Sequence, residues 1–182
     1  KAMDLGYKLI IIIGGHTEDL RRQTQARVDS DLLGFDTSFE TRGSTGYRKS
    51  LGIGEIDSEI KTLTRTNVRQ DFSKASRTAG GFDTDAPVPQ VFVVKKNKSV
   101  LENLARIFRS SISAGQTVNA PLIVIDDEAD WASVNTAKVN ATDGKESDRT
   151  AIKRAISQLT KLSDRSTYLA ITATPFANIL ID

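Results

Sequence analysis

Four short apolar runs, Leu9–Ile13, Val91–Val94, Leu122–Ile125 and Tyr168–Ile171, frame this chain. Each is continuous rather than alternating. A strand with water on one face alternates polar and apolar residues, whereas a strand covered on both faces does not. The runs therefore predict buried strands of a parallel sheet. Between them the apolar period becomes that of a helix. Val100, Leu101, Leu104, Ile107, Phe108 and Ile112 recur at helical spacing, and Ser99 with Glu102 has the form of a capping box opening that segment. Ile152, Ala155, Ile156, Leu159 and Leu162 make a second stripe, with Asp148 as its cap. Thr17 caps a weaker, more polar stripe of Leu20, Thr24 and Val28. Strand and helix in alternation predict an α/β fold, a parallel sheet with helices on both faces.

At 182 residues the chain is one domain of ordinary size, and 38% hydrophobic with 26% charged residues is a globular composition. Two stretches fall outside the alternation. Residues 34–89 read as a loop-rich insertion with one helix around Ile56, Ile60 and Leu63, and residues 131–147 as a mobile loop beside the third run. The absence of cysteine excludes disulfide frameworks, zinc ribbons, thiol nucleophiles and iron–sulfur clusters. A single histidine, His16, excludes every site that needs two imidazoles. A net charge of +2 is too balanced to advertise nucleic-acid binding by electrostatics alone. The longest apolar run falls far short of the ~20 residues that span a bilayer, so no membrane partner is expected. Lys1-Ala2-Met3-Asp4 has no signal-peptide pattern, which points to the cytoplasm. The internal Met3 and the abrupt Lys1 suggest a fragment of something longer.

Chemistry in open parallel sheets gathers at the carboxyl ends of the strands. Here those ends read Gly14-Gly15-His16-Thr17, Lys95-Lys96-Asn97-Lys98, Asp126-Asp127-Glu128-Ala129-Asp130 and Thr172-Ala173-Thr174-Pro175. The third is the sharpest. An apolar strand that ends in acidic residues is the physical form of a Walker B element. Asp127 at the tip would hold Mg²⁺ through water, Glu128 would act as base towards the water that attacks a γ-phosphate, and Asp130 would couple the two. Thr172 and Thr174 place hydroxyls at the next strand tip, where they can bond the metal-bearing carboxylates.

Asp127-Glu128-Ala129-Asp130 with Thr172-Ala173-Thr174 resembles motifs II and III of superfamily-two, DEAD-type helicases and their ATPase relatives. Gly14-Gly15-His16, Leu20-Arg21-Arg22-Gln23-Thr24-Gln25, Val91-Phe92-Val93-Val94-Lys95-Lys96-Asn97 and Thr172-Ala173-Thr174-Pro175-Phe176-Ala177-Asn178 narrow the resemblance to the helicase-like Z-one domain family, which carries an endonuclease label. The resemblance implies a RecA-like P-loop NTPase lobe over residues 1–182, incomplete because the phosphate loop would precede the first run. Gly43-Ser44-Thr45-Gly46-Tyr47-Arg48-Lys49-Ser50 imitates that loop, but Arg48 stands where the second glycine is required. ATP and Mg²⁺ are thus expected only with the missing loop present, and the isolated chain is expected to be inactive. The resemblance further implies DNA as partner, a second RecA-like lobe, and bacterial defence or repair as setting, beside an Hsp90-like ATPase or a restriction-type protein. It also assigns the loops after the first two runs to the nucleic-acid backbone, which selects Thr17, Arg21, Arg22, Gln25, Lys95, Lys96 and Asn97.

Two other classes fit less of the chain. A restriction-type nuclease needs Glu-x-Lys across a hairpin, and Glu59-Ile60-Lys61 alone offers it, inside a predicted helix. A non-catalytic docking module would keep the fold without the turnover. Trp131 could stack on a base or pack beside the strand tip, and His16 reads as a turn residue.

Overall fold

The computed structural model describes residues 2–39, 49–56, 63–64, 66–72, 88–113, 115–129 and 148–172. Within them the apolar runs become strands β1 (Leu9–Gly14), β3 (Gln90–Val94), β4 (Leu122–Asp127) and β5 (Ser166–Ala170). A two-residue strand β2, Leu63–Thr64, completes a sheet of order β2-β3-β1-β4-β5 in which every pairing is parallel. Leu63 therefore lies in an edge strand, not in the predicted helix. Among the described residues of that region, α2 covers Ile53–Ile56 with Ile56 exposed, and Ile60 lies outside them.

Because side chains alternate along a strand, the register divides the apolar residues into two cores. Leu9, Ile11, Ile13, Phe92, Val94, Leu122 and Val124 share one face of the sheet. They are covered by α3 (Lys98–Ser110) and α4 (Asp148–Thr160), which pack on each other. Helix α3 buries Leu101, Leu104, Ala105 and Phe108, a single i, i+3, i+4, i+7 stripe. Phe92 meets Phe108 at a ring separation of 5.3 Å and Phe72 edge-on at 6.1 Å. Burial of one such side chain is worth about 1.5–3 kcal/mol. Ile10, Val91, Val93 and Ile123 face the other way, against Val28, Leu33 and Phe35. Helix α3 is capped by Asn97, whose side chain accepts from the Ser99 and Val100 amides. Ser99 lies already inside the first turn, so the predicted Ser99–Glu102 box does not form there.

Helix α1 (Glu18–Val28) does carry the predicted cap, Thr17, which accepts from the Leu20 amide at 3.3 Å. Of the predicted stripe Leu20, Thr24 and Val28, Val28 is buried and the other two are half-buried. Arg21, Gln25 and Val28 are inward, and the helix runs on through a π-helical turn, Asp29–Leu33, to a left-handed Gly34 with φ 75°. The polar inward face is satisfied by the segment that reads from sequence as loop. Arg21 donates to Glu18 and to the carbonyls of Asn67 and Val68. Gln25 bridges Asp29 and Thr66, while Thr37 donates to Asp29 through both its amide and its hydroxyl. Thr66 in turn accepts from the Val93 amide of β3. Burial pushes the Asp29 carboxyl above its usual range, against the bonds from Thr37 and Gln25.

Strand β5 breaks the rule that its sequence suggests. All five of its residues are exposed, Tyr168 and Leu169 at nearly half their surface. It is the edge of the described sheet, with a partner on one side only, so its apolar run does not report burial on both faces.

Candidate functional site

A parallel sheet makes its crevice where neighbouring strands send their following helices to opposite faces. Strands β1 and β4 meet that condition. Helix α1 after β1 covers the face of Val93 and Ile10, whereas α4, the next described element after β4, covers the face of Ile11 and Val124. The register sets Gly14 beside Asp127 at this point. The resulting cleft holds about 180 Å³, and its walls include Gly14, Gly15, Gln23, Arg27, Asp127 and Glu128.

Both carboxylates are half-buried there. Asp127 Oδ1 accepts the Glu128 amide at 3.0 Å, and Glu128 adopts φ 53°, the one left-handed conformation among the described non-glycine residues. Such a conformation costs a β-carbon-bearing residue about 1–2 kcal/mol and gathers at functional sites. The turn lays Glu128 Oε2 beside Gly15 and 3.4 Å from His16 Nδ1. Gly15 itself has φ 79°, and a β-carbon on it would come within 2.9 Å of Leu20 and 3.2 Å of Glu128 Oε2. Glycine is thus required on both conformational and steric grounds.

Beneath the turn four strand ends are tied together. Lys96, wholly buried, puts its ammonium 2.7 Å from Asp126 Oδ1 and 2.6 Å from the Glu128 carbonyl, while its amide donates to the Gly15 carbonyl at 2.7 Å. Tyr168 donates to Asp126 Oδ2 at 2.8 Å. Burial first, then the bond and the charge of Asp126, push the Tyr168 phenol well above its usual range, so it remains a donor. The Ile171 amide donates to the Asp126 carbonyl, and the Ala129 amide to the Ile171 carbonyl. Thr172, half-buried, therefore follows directly on a residue that brackets the acidic turn.

The predicted nucleic-acid residues separate into three kinds. Arg21, Gln25 and Lys96 are buried with their polar atoms engaged, so their side chains do not reach a phosphate at the surface. Thr17 and Asn97 are helix caps. Thr17, Arg22 and Asn97 are exposed and Lys95 is half-buried, Arg22 with half its side chain exposed while pairing with Glu18 at 3.4 Å. Burial alone would raise the Glu18 carboxyl. The Arg21 bond and the charges of Arg21, Lys95 and Arg22 outweigh it and hold Glu18 below its usual range, so one carboxylate already offsets this basic patch. Asp130, Trp131 and Thr174, the Glu59–Lys61 stretch, residues 131–147 and the glycine-rich stretch up to Arg48 lie outside the described residues.

Gln23 and Arg27 were not singled out by sequence reading. They stand on α1 with Leu20 and Thr24, an i, i+3, i+4, i+7 stripe that lines the cleft wall. The same spacing from Leu20 to Thr24 was legible, but it reads as a core stripe. Among the described residues no group of three or more histidines or carboxylates is placed to hold a metal by itself. Asp127 and Glu128 offer acidic oxygens of the kind a hard cation takes when water and phosphate complete its shell. No protein-family model, curated protein or solved structure matches the chain. No helix among the described residues is long and apolar enough to cross a membrane.

Proposed function

We propose that this chain is part of a RecA-like lobe of a DNA-dependent ATPase of the superfamily-two helicase type. One observation supports it most: consecutive carboxylates, Asp127 and Glu128, stand at the crevice between β1 and β4, the second in a left-handed turn. A Mg²⁺–ATP complex, when bound, would supply the phosphoryl group and the charge neutralisation that its transfer needs. Asp127 would hold the cation through water, with Asp130, Thr172 and Thr174 assigned to the same site. Glu128 Oε would take the proton from the attacking water. The walls at Gly14 and Gly15 let main chain rather than side chain meet the ligand. For the nucleic acid, Thr17, Arg22, Lys95 and Asn97 are the contacts that remain, at a rim where the attraction of the two basic residues is local and salt-sensitive.

The test is Glu128→Gln in the full-length protein. Glutamine keeps size and hydrogen bonding but cannot accept the proton, and loss of a general base costs ~10²–10⁴-fold in turnover. ATP affinity should be retained. Hydrolysis at the parental rate would overturn the reading.

A further inference from the structure

We propose that Lys96 is a positioning residue, whose ammonium holds the Glu128 turn in its left-handed conformation through the Glu128 carbonyl and the Asp126 carboxylate. This rests on the reading of Glu128 as the base, and reaches beyond it to what fixes that base. The Lys96 side chain has no exposed surface; its ammonium pairs ionically with Asp126 Oδ1 at 2.7 Å and donates to the Glu128 carbonyl at 2.6 Å, on either side of Asp127. A buried ion pair is costly to desolvate, and an apolar pair of the same volume often serves stability as well or better. What an apolar residue could not do is bond a main-chain carbonyl. That carbonyl belongs to the residue with φ 53°, so the bond is available in the turn as it stands. Tyr168 fixes the other oxygen of Asp126, which leaves the carboxylate one orientation in which to receive the lysine. The Lys96 amide on Gly15 places the same residue against the glycine that Glu128 Oε2 lies beside. Lys96 thus sets both walls of the cleft without lining it.

The experiment pairs Lys96→Met with Asp126→Asn, so that no unpaired charge is left buried. Two readouts follow. The three-bond amide–Hα coupling and Cα shift of Glu128 report its φ, and steady-state kinetics of the full-length protein separate kcat from KM. The expected result is a folded double variant in which Glu128 leaves the left-handed region, with kcat lowered about 10²-fold and KM for ATP unchanged, since a small misplacement of a reacting group has that effect. A folded variant that keeps the positive φ, or loses it with kcat unchanged, overturns the proposal. If the double variant does not fold, the parent decides: a through-hydrogen-bond coupling between Lys96 Nζ and the Glu128 carbonyl carbon supports the proposal, and its absence overturns it. A parent without ATP turnover removes the base role of Glu128, and the same coupling then decides alone whether Lys96 holds the turn.

Discussion

The two flanks of the sheet are built on opposite principles. On the β3 side, every strand residue is buried, and a polar network from α1 ties residues 66–68 over the edge. On the β5 side, every strand residue is exposed, and the side-chain ties are single bonds, Tyr168 to Asp126 and Thr167 to Tyr7. The apolar runs that mark them, Val91–Val94 and Tyr168–Ile171, are of the same length. The difference teaches that a run of this kind records the chemistry a strand can tolerate. Its cover is decided by what the rest of the chain brings to it.

The largest effect should come from removing the guanidinium that organises the β3 flank. Arg21→Ala strands the Asn67 and Val68 carbonyls, while Glu18, about one-third exposed, can still be solvated. A loss of about 3 kcal/mol in urea unfolding is expected. A loss within 0.5 kcal/mol, the usual size for a surface site, would mean the network is incidental. Next come matched truncations on the two strands. Val93→Ala removes a fully buried side chain and should cost about 2 kcal/mol, whereas Leu169→Ala, on the exposed strand, should cost below about 1 kcal/mol. Equal losses would break the contrast between flanks.

The smallest effect is a pair of opposite pH slopes on the β3 side. Asp71 is held above its ordinary value of 3.8 by burial, against bonds from the Phe72 and Lys95 amides and the charge of Arg21. Its contribution is fully present below the unfolded pKa and fades as pH rises through the folded one. The parent's stability relative to Asp71→Asn should therefore be greatest near pH 3 and decline towards neutrality. Glu18, held low, runs the other way: its contribution is present above the unfolded value of 4.5 and lost as pH falls through the folded one, with Glu18→Gln as reference. Denaturation midpoints across that range give both signs, and a reversal of either would refute its assigned cause.

Much of this was legible in the residues. Continuous apolar runs marked β1, β3 and β4, because strands buried on both faces have no polar positions to reveal. The stripe from Ile152 to Leu159 marked α4 for the complementary reason, and acidic residues after a buried run marked the cleft. What escaped reading was polar burial. Arg21 and Gln25 carry the hydrophilic signature of a surface, and only their partners Thr66, Asn67 and Val68, distant in sequence, convert them to core. Lys96 deceived in the same way, since a basic residue after a strand looks like a ligand contact until Asp126 is seen beneath it. Capping was misjudged by two residues, because Asn97 and Ser99 are equally good caps and the start of a helix decides between them.

The left-handed turn at Glu128 also sets evolution and engineering at odds. Glycine at this position would relax the backbone and make the fold more stable, yet it would carry no carboxylate. Selection for thermal robustness alone would therefore steer the chain towards a tougher and chemically blank descendant. A carboxylate at position 128 is thus held at a cost in backbone energy that glycine would not carry.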